Sequence, residues 1–330
     1  MARVDVLLVA LGSTAGLRAA EAELAASLRR AGATVAIAAP RPPREVRTLA
    51  LTDLAWARAA RRAAIGGIAA HRPRAVVYST MGAALLWPAP GAIRYDAPAA
   101  ANRPGRHGLW QRRVEGRRLQ EATLLVPQTE MTLAETPTPR ADAVVVPIPV
   151  EPSGDLLPWA HRDIAAITYA ANPGKKGLDR VLAAWAAVRR EGEELLVCGT
   201  DRVPRADGVV PAGSLASGAY RALLRRARVF VTAPRREDYG VAQLEALADG
   251  CRLVTTAAPG PYAALPLARA LDRRSVAQEA SPVALGRAVR WGLDRGDEGY
   301  ETRARLALAP FRQAAVDEVV ATKLLPRLLP

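Results

Sequence analysis

The sequence predicts an α/β protein with two halves, each built from a parallel sheet and the helices that cover it. Short apolar runs rich in Val, Ile and Leu alternate with segments of helical spacing, the pattern of parallel sheets. Each half begins with a strand, a glycine-containing loop and a helix, over 4–30 and again over 164–190. A length of 330 residues is enough for two domains with separate cores, and abundant Ala with few aromatic residues favours helices packed closely on sheets.

Composition and charge exclude several classes of protein. No apolar run reaches the ~18 residues needed to span a bilayer, and the first five residues do not resemble a signal peptide. Cys198 and Cys251 lack the spacing of a metal site, so we expect no metal and a reducing, cytoplasmic setting. The net charge of +14 suggests nucleic acid, but only three of the 46 basic residues are Lys. That bias is typical of genomic base composition, and no stretch interleaves basic and aromatic residues, so no nucleic acid is expected.

The first half follows a β-α-β order. Residues 4–11 are predicted as a strand, 12–16 as a loop, 17–30 as a helix and 34–39 as the second strand. The loop has the spacing G-x-x-x-G, ending at Gly16, and no acidic residue closes the second strand. The dinucleotide pattern G-x-G-x-x-G is therefore not met, and we do not expect NAD.

Polar residues and a basic helix distinguish the rest of the first half. Asp96 ends the strand predicted at 92–96, and His107 lies in the loop that follows. The helix predicted at 109–122 is strongly basic and has Trp110, Val114 and Leu119 as its apolar members. Either it is a surface helix packed by those residues, or it meets a membrane surface. Three further strands are predicted at 75–79, 123–126 and 143–148.

A strand, a polar loop and a helix form the most informative stretch of the second half. The strand is predicted at 229–233, the loop at 234–240 and the helix at 241–248. Open α/β sheets bind ligands at the carboxyl ends of their strands, where this loop falls. Glu237 precedes the helix and Glu245 follows eight positions later. In one interpretation, both are ligand-binding carboxylates. In the alternative, Glu237 is an acid at the start of a helix, where the helix dipole favours it, and Glu245 is a solvated helix residue.

Features beside these two acids favour an anionic ligand. Gly240 lets a ligand approach the backbone, and the free amides around 239–242 form an anion site at the start of the helix. Lys175 and Lys176 stand side by side between two glycines, before the first long helix of the second half. In a chain that uses Arg almost everywhere, this placement indicates a site for a compact ammonium, with phosphate as its natural partner. Hydroxyl-binding acids and phosphate-binding groups together indicate a sugar nucleotide.

Two motifs resemble those of a known family. Glu237-Asp238-Tyr239-Gly240-Val241, with Glu245-Ala246, resembles the E-x7-E signature of the retaining GT-B glycosyltransferases, glycosyl transferases group 1 (family 4). Lys176-Gly177-Leu178-Asp179 resembles the K-G-hydrophobic-D motif of that family. The resemblance implies two Rossmann-like domains facing a central cleft, with a C-terminal helix that crosses back to the first domain. Asp238 and Tyr239 replace the usual Gly and Phe, and the arginine that the family carries after the preceding strand is missing.

The resemblance also implies residue roles. Glu237 would contact hydroxyls of the donor sugar, Glu245 would hold the ribose, and Lys176, with Lys175, would bind the diphosphate. Asp96 or His107 would stand where the family often has a histidine. The resemblance also implies contacts of backbone or loop positions. The sugar and diphosphate would meet the backbone of Asp238, Tyr239, Gly240 and Val241. The base would lie at Gly213 and Leu215, and Gly16 would face the acceptor and phosphate.

The expected organisation is an acceptor domain over 1–150, a linker over 151–162, a donor domain over 163–310 and a C-terminal helix over 311–330. The expected reaction transfers a hexose with retention from a UDP- or GDP-hexose, without a cofactor, to a lipid, polysaccharide or small-molecule acceptor. Glycoconjugate or cell-envelope synthesis is the expected setting, with peripheral contact at the inner face of a membrane through the basic helix. A sugar-nucleotide epimerase of the same fold and a non-catalytic sugar-nucleotide-binding protein remain alternatives.

Overall fold

A computed structural model describes residues 3–43, 48–103, 105–137, 142–296 and 299–330. The chain forms two compact units. The first contains Met1–Pro149 and Gln313–Pro330, and the second contains Val150–Arg312. Each unit has one parallel sheet with helices on its faces, which confirms the predicted α/β class.

The sheet of the first unit has five parallel strands in the order β2-β1-β3-β4-β5. Its strands are β1 (Val6–Val9), β2 (Val35–Ala38), β3 (Ala75–Tyr78), β4 (Ala92–Tyr95) and β5 (Leu124–Pro127). The helices of this part are α1 (Ala15–Arg30), α2 (Leu49–His71), α3 (Met81–Ala84), α4 (Ala99–Asn102), α5 (Leu109–Glu121) and α6 (Glu130–Glu135). All four residues of β1 are buried because helices cover both faces of the sheet. Val6 and Leu8 pack towards α1, whereas Leu7 and Val9 pack towards α2.

The sheet of the second unit has six parallel strands in the order β11-β10-β9-β6-β7-β8. Its strands are β6 (Ile164–Tyr169), β7 (Leu195–Cys198), β8 (Val209–Gly213), β9 (Ala227–Thr232), β10 (Arg252–Thr256) and β11 (Val276–Ala277). The helices are α7 (Pro173–Lys176), α8 (Leu178–Val188), α9 (Ser217–Arg226), α10 (Val241–Ala248), α11 (Ala264–Leu271), α12 (Pro282–Asp294) and α13 (Tyr300–Ala307). Trp185 of α8 is buried in the core between the sheet and α12, and its indole N–H donates to the Gly208 carbonyl at 2.9 Å.

The end of the chain returns to the first unit. Helix α14 (Gln313–Val319), a π-helical turn (Val320–Leu324) and α15 (Leu325–Leu328) follow one another without a loop. Their side chains at four-residue spacing enter the core of the first sheet, and these are Val316, Val320, Leu324 and Leu328. The predicted boundary after residue 310 falls two residues before the observed division between Arg312 and Gln313.

Two segments differ from their predicted structure. Residues 143–148 form only a single bridge, Leu125 with Ala143. The N–H groups of Val144 and Val146 donate to the Leu125 and Pro127 carbonyls, but Pro127 has no N–H with which to continue the ladder. Residues 151–162, predicted as a linker, are held inside the second unit. Ser153 N and Oγ donate to Asp249 Oδ1 at 2.8 and 2.9 Å, and buried Arg162 donates to the Ala227 carbonyl at 2.7 Å. The chain thus enters the second unit at Val150.

Candidate functional site

The strand order of the second unit indicates a candidate ligand-binding edge. Strand β6 lies between β9 and β7, so the chain direction across the sheet reverses between β6 and β9. Ligands of open α/β sheets bind at such a switch point, beyond the carboxyl ends of the strands. The loop after β6 carries the two lysines, and the loop after β9 carries Glu237. The topology therefore brings both sequence motifs to one place.

Arg235 ties the two loops together. Its backbone N–H donates to the Lys175 carbonyl at 3.0 Å, and its Nη1 donates to the Gly174 carbonyl at 2.8 Å. The same guanidinium binds both carboxylate oxygens of Asp179 at 2.9 and 2.8 Å. These hydrogen bonds hold the pKa of Asp179 below its usual range. The geometry of the lysine loop thus depends on a residue of the glutamate loop.

Gly177 is where the two loops come closest. It has a φ of 64°, and a Cβ atom there would lie 1.9 Å from the Ala233 carbonyl oxygen. We expect Gly177→Ala to lower the free energy of unfolding by at least about 1–3 kcal/mol, since the left-handed backbone and the clash both oppose a side chain. Urea unfolding measures this change. Gly174→Ala is the matched control, because its Cβ would meet nothing closer than 3.8 Å; equal losses in both variants would contradict the expectation.

Two ion pairs join the motifs. Lys176 Nζ lies 2.7 Å from Glu237 Oε2, and the same oxygen accepts from Gln243 Nε2 at 2.9 Å. Lys175 Nζ lies 2.8 Å from Asp238 Oδ2. The carboxylates of both pairs are buried, whereas 47% of the Lys175 side chain is exposed. The ammonium groups therefore stand at the outer side of two buried acids.

A third cation completes the cluster. Arg236 Nε donates to Asp238 Oδ1 at 2.7 Å, so each oxygen of this carboxylate has its own cation. Burial raises the pKa of Asp238, but Lys175 and Arg236 outweigh burial and hold that pKa below its usual value. Asp238 is thus ionised at neutral pH.

The third loop at this edge, after β10, fixes the backbone of the glutamate loop. Glu237 N–H donates to the Pro259 carbonyl at 3.0 Å, and Ala263 N–H donates to the Tyr239 carbonyl at 3.0 Å. Gly240 has a φ of 93°, and a Cβ atom there would lie 2.9 Å from the Tyr262 ring. Helix α10 begins at the next residue, Val241. These contacts therefore fix the direction in which the backbone N–H groups of the first turn of α10 point.

Glu245 lies further along α10 in a mostly buried position. It forms an ion pair with Arg221 of α9, whose Nη1 lies 3.6 Å from Glu245 Oε1. Burial raises the pKa of Glu245, although Arg221 opposes the shift. Tyr169 at the end of β6 packs against Tyr220 with ring centroids 5.3 Å apart. Burial raises the pKa of both phenols, and the charge of Glu245 raises it further.

Gly213 and Leu215 mark the far end of the same edge. Gly213 ends β8, two strands from β6, with a φ of 66°. A Cβ atom there would lie 2.8 Å from Asp201 Oδ1, so the backbone approaches this carboxylate closely. Leu215 follows with an exposed side chain. Their predicted role with the base stays a prediction.

The predicted site residues of the first unit are Gly16, Asp96 and His107. Gly16, predicted on a loop, lies in the first turn of α1, because the Thr14 side chain accepts from Leu17 N–H at 3.1 Å and starts the helix at Ala15. Asp96 follows β4 with an exposed side chain, which accepts from Ala97 N–H at 2.9 Å. His107 lies in a 3-10 turn, and its side chain falls outside the described residues.

A buried acid occupies the switch point of the first sheet, between β1 and β3. Glu21 Oε1 accepts from the N–H groups of Leu11 and Gly12 at 2.7 and 3.3 Å. Ser79 Oγ donates to the same oxygen at 2.6 Å. An internal carboxylate thus takes amides that a bound phosphate would need at this loop, which agrees with the unmet dinucleotide motif.

Another buried acid lies under the loop that carries Asp96. Glu115, on the inner face of α5 between Gln111 and Leu119, accepts from Ala99 N–H at 2.7 Å. The sequence predicted Trp110 and Val114 on this face, yet both are only half-buried. Burial raises the pKa of Glu115 from 4.5 to about 7.

The raised pKa makes stability depend on pH. Since folded Glu115 keeps its proton up to a higher pH than the unfolded chain does, the free energy of unfolding falls as pH rises from 4.5 to about 7. Glu115→Gln, which is uncharged at every pH, should be more stable than the wild type at pH ~8 by roughly 3 kcal/mol and should lose that advantage at pH ~4. Urea unfolding at both pH values measures this. Exposed Glu279→Gln is the control; the same pH dependence in both variants would contradict the assignment.

Three residues of the site were missed by the sequence. Gln243, in the first turn of α10, binds Glu237, Arg221 pairs with Glu245, and Arg236 pairs with Asp238. Arg236 adjoins the motif and could have been noticed there. Arg221 has no such signal, because 46 basic residues leave one arginine indistinguishable from the others.

Within the described ranges, no helix is long and apolar enough to cross a membrane. Across those same residues, no three or more His, Cys, Asp or Glu side chains are grouped so that they could hold a metal ion.

Comparisons with known proteins agree with this arrangement. The crystal structure of WaaG, a glycosyltransferase involved in lipopolysaccharide biosynthesis, superposes with a TM-score of 0.71 at 14% identity, covering 96% of this chain and 99% of that one. Sucrose-phosphate synthase from Thermosynechococcus elongatus gives a TM-score of 0.63 at 14% identity, covering 94% and 96%. An alpha,alpha-trehalose-phosphate synthase (UDP-forming) from Burkholderia xenovorans gives 0.58 at 14% identity, covering 77% and 72%.

A search among curated proteins finds no match. The model of the family "Glycosyl transferases group 1" matches residues 163–293, which contain both the lysine and the glutamate motifs. The predicted GT-B fold is confirmed by the structural matches. Residues 163–293 therefore match the glycosyl transferases group 1 family, within a chain that has the fold of GT-B glycosyltransferases.

Proposed function

We propose that this protein transfers a hexose from a nucleotide-diphosphate sugar to a hydroxyl acceptor with retention of configuration. The observation that carries the proposal is the 2.7 Å contact between Lys176 Nζ and Glu237 Oε2 at the switch point of the second sheet. In the proposed site this ammonium would bind phosphate, and the acid beside it would accept hydrogen bonds from sugar hydroxyls. The second unit would hold the donor, and the first unit would hold the acceptor.

The chemistry follows from these groups. The bond between the anomeric carbon and the diphosphate oxygen breaks, and the acceptor oxygen forms a new bond to that carbon. Negative charge develops on the departing diphosphate, where Lys176, Lys175 and the first amides of α10 stabilise it. The departing phosphate oxygen takes the acceptor proton, so the scheme needs neither an enzymic nucleophile nor a cofactor. Glu237 orients the sugar, and Glu245 accepts from the ribose hydroxyls.

A nucleotide panel tests the donor. UDP, GDP, dTDP and ADP are added separately, and thermal unfolding is followed; UDP or GDP is expected to stabilise the protein most. A ligand at about 100 times its dissociation constant adds about 2.7 kcal/mol to the free energy of unfolding. If none of the four raises the melting temperature, the proposal is wrong.

Product analysis then identifies the reaction. The sugar nucleotide that matches the preferred diphosphate is incubated with and without candidate lipid, polysaccharide and small-molecule acceptors. Transfer requires an acceptor and gives a product of unchanged anomeric configuration. Epimerisation would convert the sugar nucleotide without any acceptor, whereas a binding protein would leave it intact. Either result would replace the proposed activity by that alternative.

We also propose that α5 contacts an anionic membrane surface. Leu109, Arg113 and Arg117 share one face of this helix at four-residue spacing, and all three are exposed. An apolar side chain beside cations is typical of interfacial helices. Binding to vesicles that contain anionic lipid should exceed binding to neutral vesicles. Arg113→Glu with Arg117→Glu should abolish the difference, and an undiminished difference would contradict this contact.

A further inference from the structure

Two adjacent arginines at the donor edge have different surroundings. Arg235 binds both oxygens of Asp179 and the Gly174 carbonyl, so its guanidinium connects the two loops. Arg236 instead binds Asp238, through Nε at 2.7 Å. The two are neighbours in sequence, and their contacts separate them. The hydrogen bonds of Arg235 explain it as the contact between the two loops, whereas those of Arg236 point to a different role.

Asp238 holds two cations on its two oxygens. Lys175 Nζ lies 2.8 Å from Oδ2, and Arg236 Nε lies 2.7 Å from Oδ1. Only 7% of the Asp238 side chain is exposed, against 47% for Lys175 and 21% for Arg236. The carboxylate is therefore the inner member of the triad, and it places a planar guanidinium beside a compact ammonium on the solvent side.

The charges at this edge fit a ligand with more than one negative charge. Three cations, Lys175, Lys176 and Arg236, face two carboxylates, Glu237 and Asp238. The amides at the start of α10 add partial positive charge. A guanidinium and two ammonium groups match two linked phosphoryl groups, because a guanidinium binds two oxygens of one phosphoryl group and an ammonium binds as a point charge.

We propose that Arg236 binds the diphosphate of the donor, and that Asp238 is the positioning residue that holds Arg236 and Lys175 in place for it. The proposal rests on the proposed function, since it names further residues of the same donor site. The residues that follow β6, Ala170 and Ala171, supply no cation. In this chain the guanidinium therefore comes from the loop after β9. A cation held by a buried carboxylate loses less side-chain freedom when the ligand binds.

Titration calorimetry with inorganic pyrophosphate and inorganic phosphate tests Arg236 without knowledge of the base. Arg236→Gln should weaken pyrophosphate binding about tenfold or more, and should weaken phosphate binding less. Arg236→Lys, which keeps the charge, should recover part of the loss. Arg269→Gln is the matched control, because it removes one positive charge from an exposed position on α11. Equal weakening in Arg236→Gln and Arg269→Gln, or none in either, would overturn the assignment.

Asp238→Asn tests the positioning role, because loss of the charge and loss of positioning would change the affinity for pyrophosphate in opposite directions. Loss of a negative charge beside an anion would by itself tighten pyrophosphate binding. Loss of the group that places two cations should weaken it, and we expect weaker binding with the melting temperature of the free protein within a few degrees of wild type. Tighter binding would remove the positioning role. If the wild type binds neither pyrophosphate nor any of the four nucleotides, the proposed function itself fails; if it binds them and Arg236→Gln binds equally well, only the assignment of Arg236 fails.

Discussion

Glu237→Gln is expected to lower the rate of sugar transfer by about 100-fold or more, with little change in stability. The amide has the size of the carboxylate and can still accept from Gln243, which lies 2.9 Å from Glu237 Oε2. It lacks the charge that holds Lys176 and that accepts strongly from a sugar hydroxyl. Initial rates with the preferred sugar nucleotide, measured alongside thermal unfolding, give both quantities.

Glu279→Gln is the matched control for this change, since Glu279 is exposed and lies outside the three loops of the site. Its transfer rate should equal that of the wild type. Full turnover in Glu237→Gln across the sugar nucleotides that stabilise the wild type would show that Glu237 has no part in the reaction.

Asp249→Ala is expected to produce the largest loss of stability, about 3–5 kcal/mol, because it leaves buried cationic and polar groups without their carboxylate. Asp249 is fully buried and accepts from Ser153 N–H, from Ser153 Oγ and from Arg221 Nε. For a unit of this size the melting temperature should fall by roughly 10 °C. Arg221 also pairs with Glu245, so nucleotide binding should weaken as well. Differential scanning calorimetry measures the first effect and titration calorimetry the second.

A surface ion pair provides the comparison. Asp207 pairs with Arg189 at 3.5 Å, but 93% of its side chain is exposed. Asp207→Ala should therefore change the free energy of unfolding by less than about 0.5 kcal/mol. Similar melting temperatures for Asp249→Ala and Asp207→Ala would contradict the role assigned to Asp249.

The fold was predictable from sequence because its signals are local. Four consecutive apolar residues in β1 are buried on both faces, and apolar runs of this kind indicate parallel strands whatever their partners are. The lysine and glutamate motifs were also visible, since glycine and lysine at loop positions suit a phosphate and acids suit hydroxyl groups. Their meeting follows from the order of strands in the sheet: Lys176 and Glu237 are 61 residues apart and touch because β6 and β9 are neighbours.

Other parts of the site depend on contacts that no local pattern records. Glu245 was predicted without its partner, because Arg221 comes from another helix and many arginines compete for that role. Gly16 was placed on a loop because glycine is common in loops, but the Thr14 cap starts α1 earlier. The supposed linker was assigned from its prolines, yet its Ser153 donates to Asp249 and its Arg162 donates to the Ala227 carbonyl inside the second unit.

The return of the chain to its first unit has a consequence for how the protein folds during synthesis. Four apolar residues of 316–328 complete a core that also contains Val6, Leu24 and Leu124. That core cannot close until the last of them has left the ribosome, whereas the second unit is a single continuous segment, Val150–Arg312, that is available earlier. The sheet formed near the start of the chain must therefore wait, with the face that carries α1 only partly covered, while the whole of the second unit is made. Aggregation of nascent chains is most probable in that interval, and the first unit, not the second, is the part that a chaperone would protect.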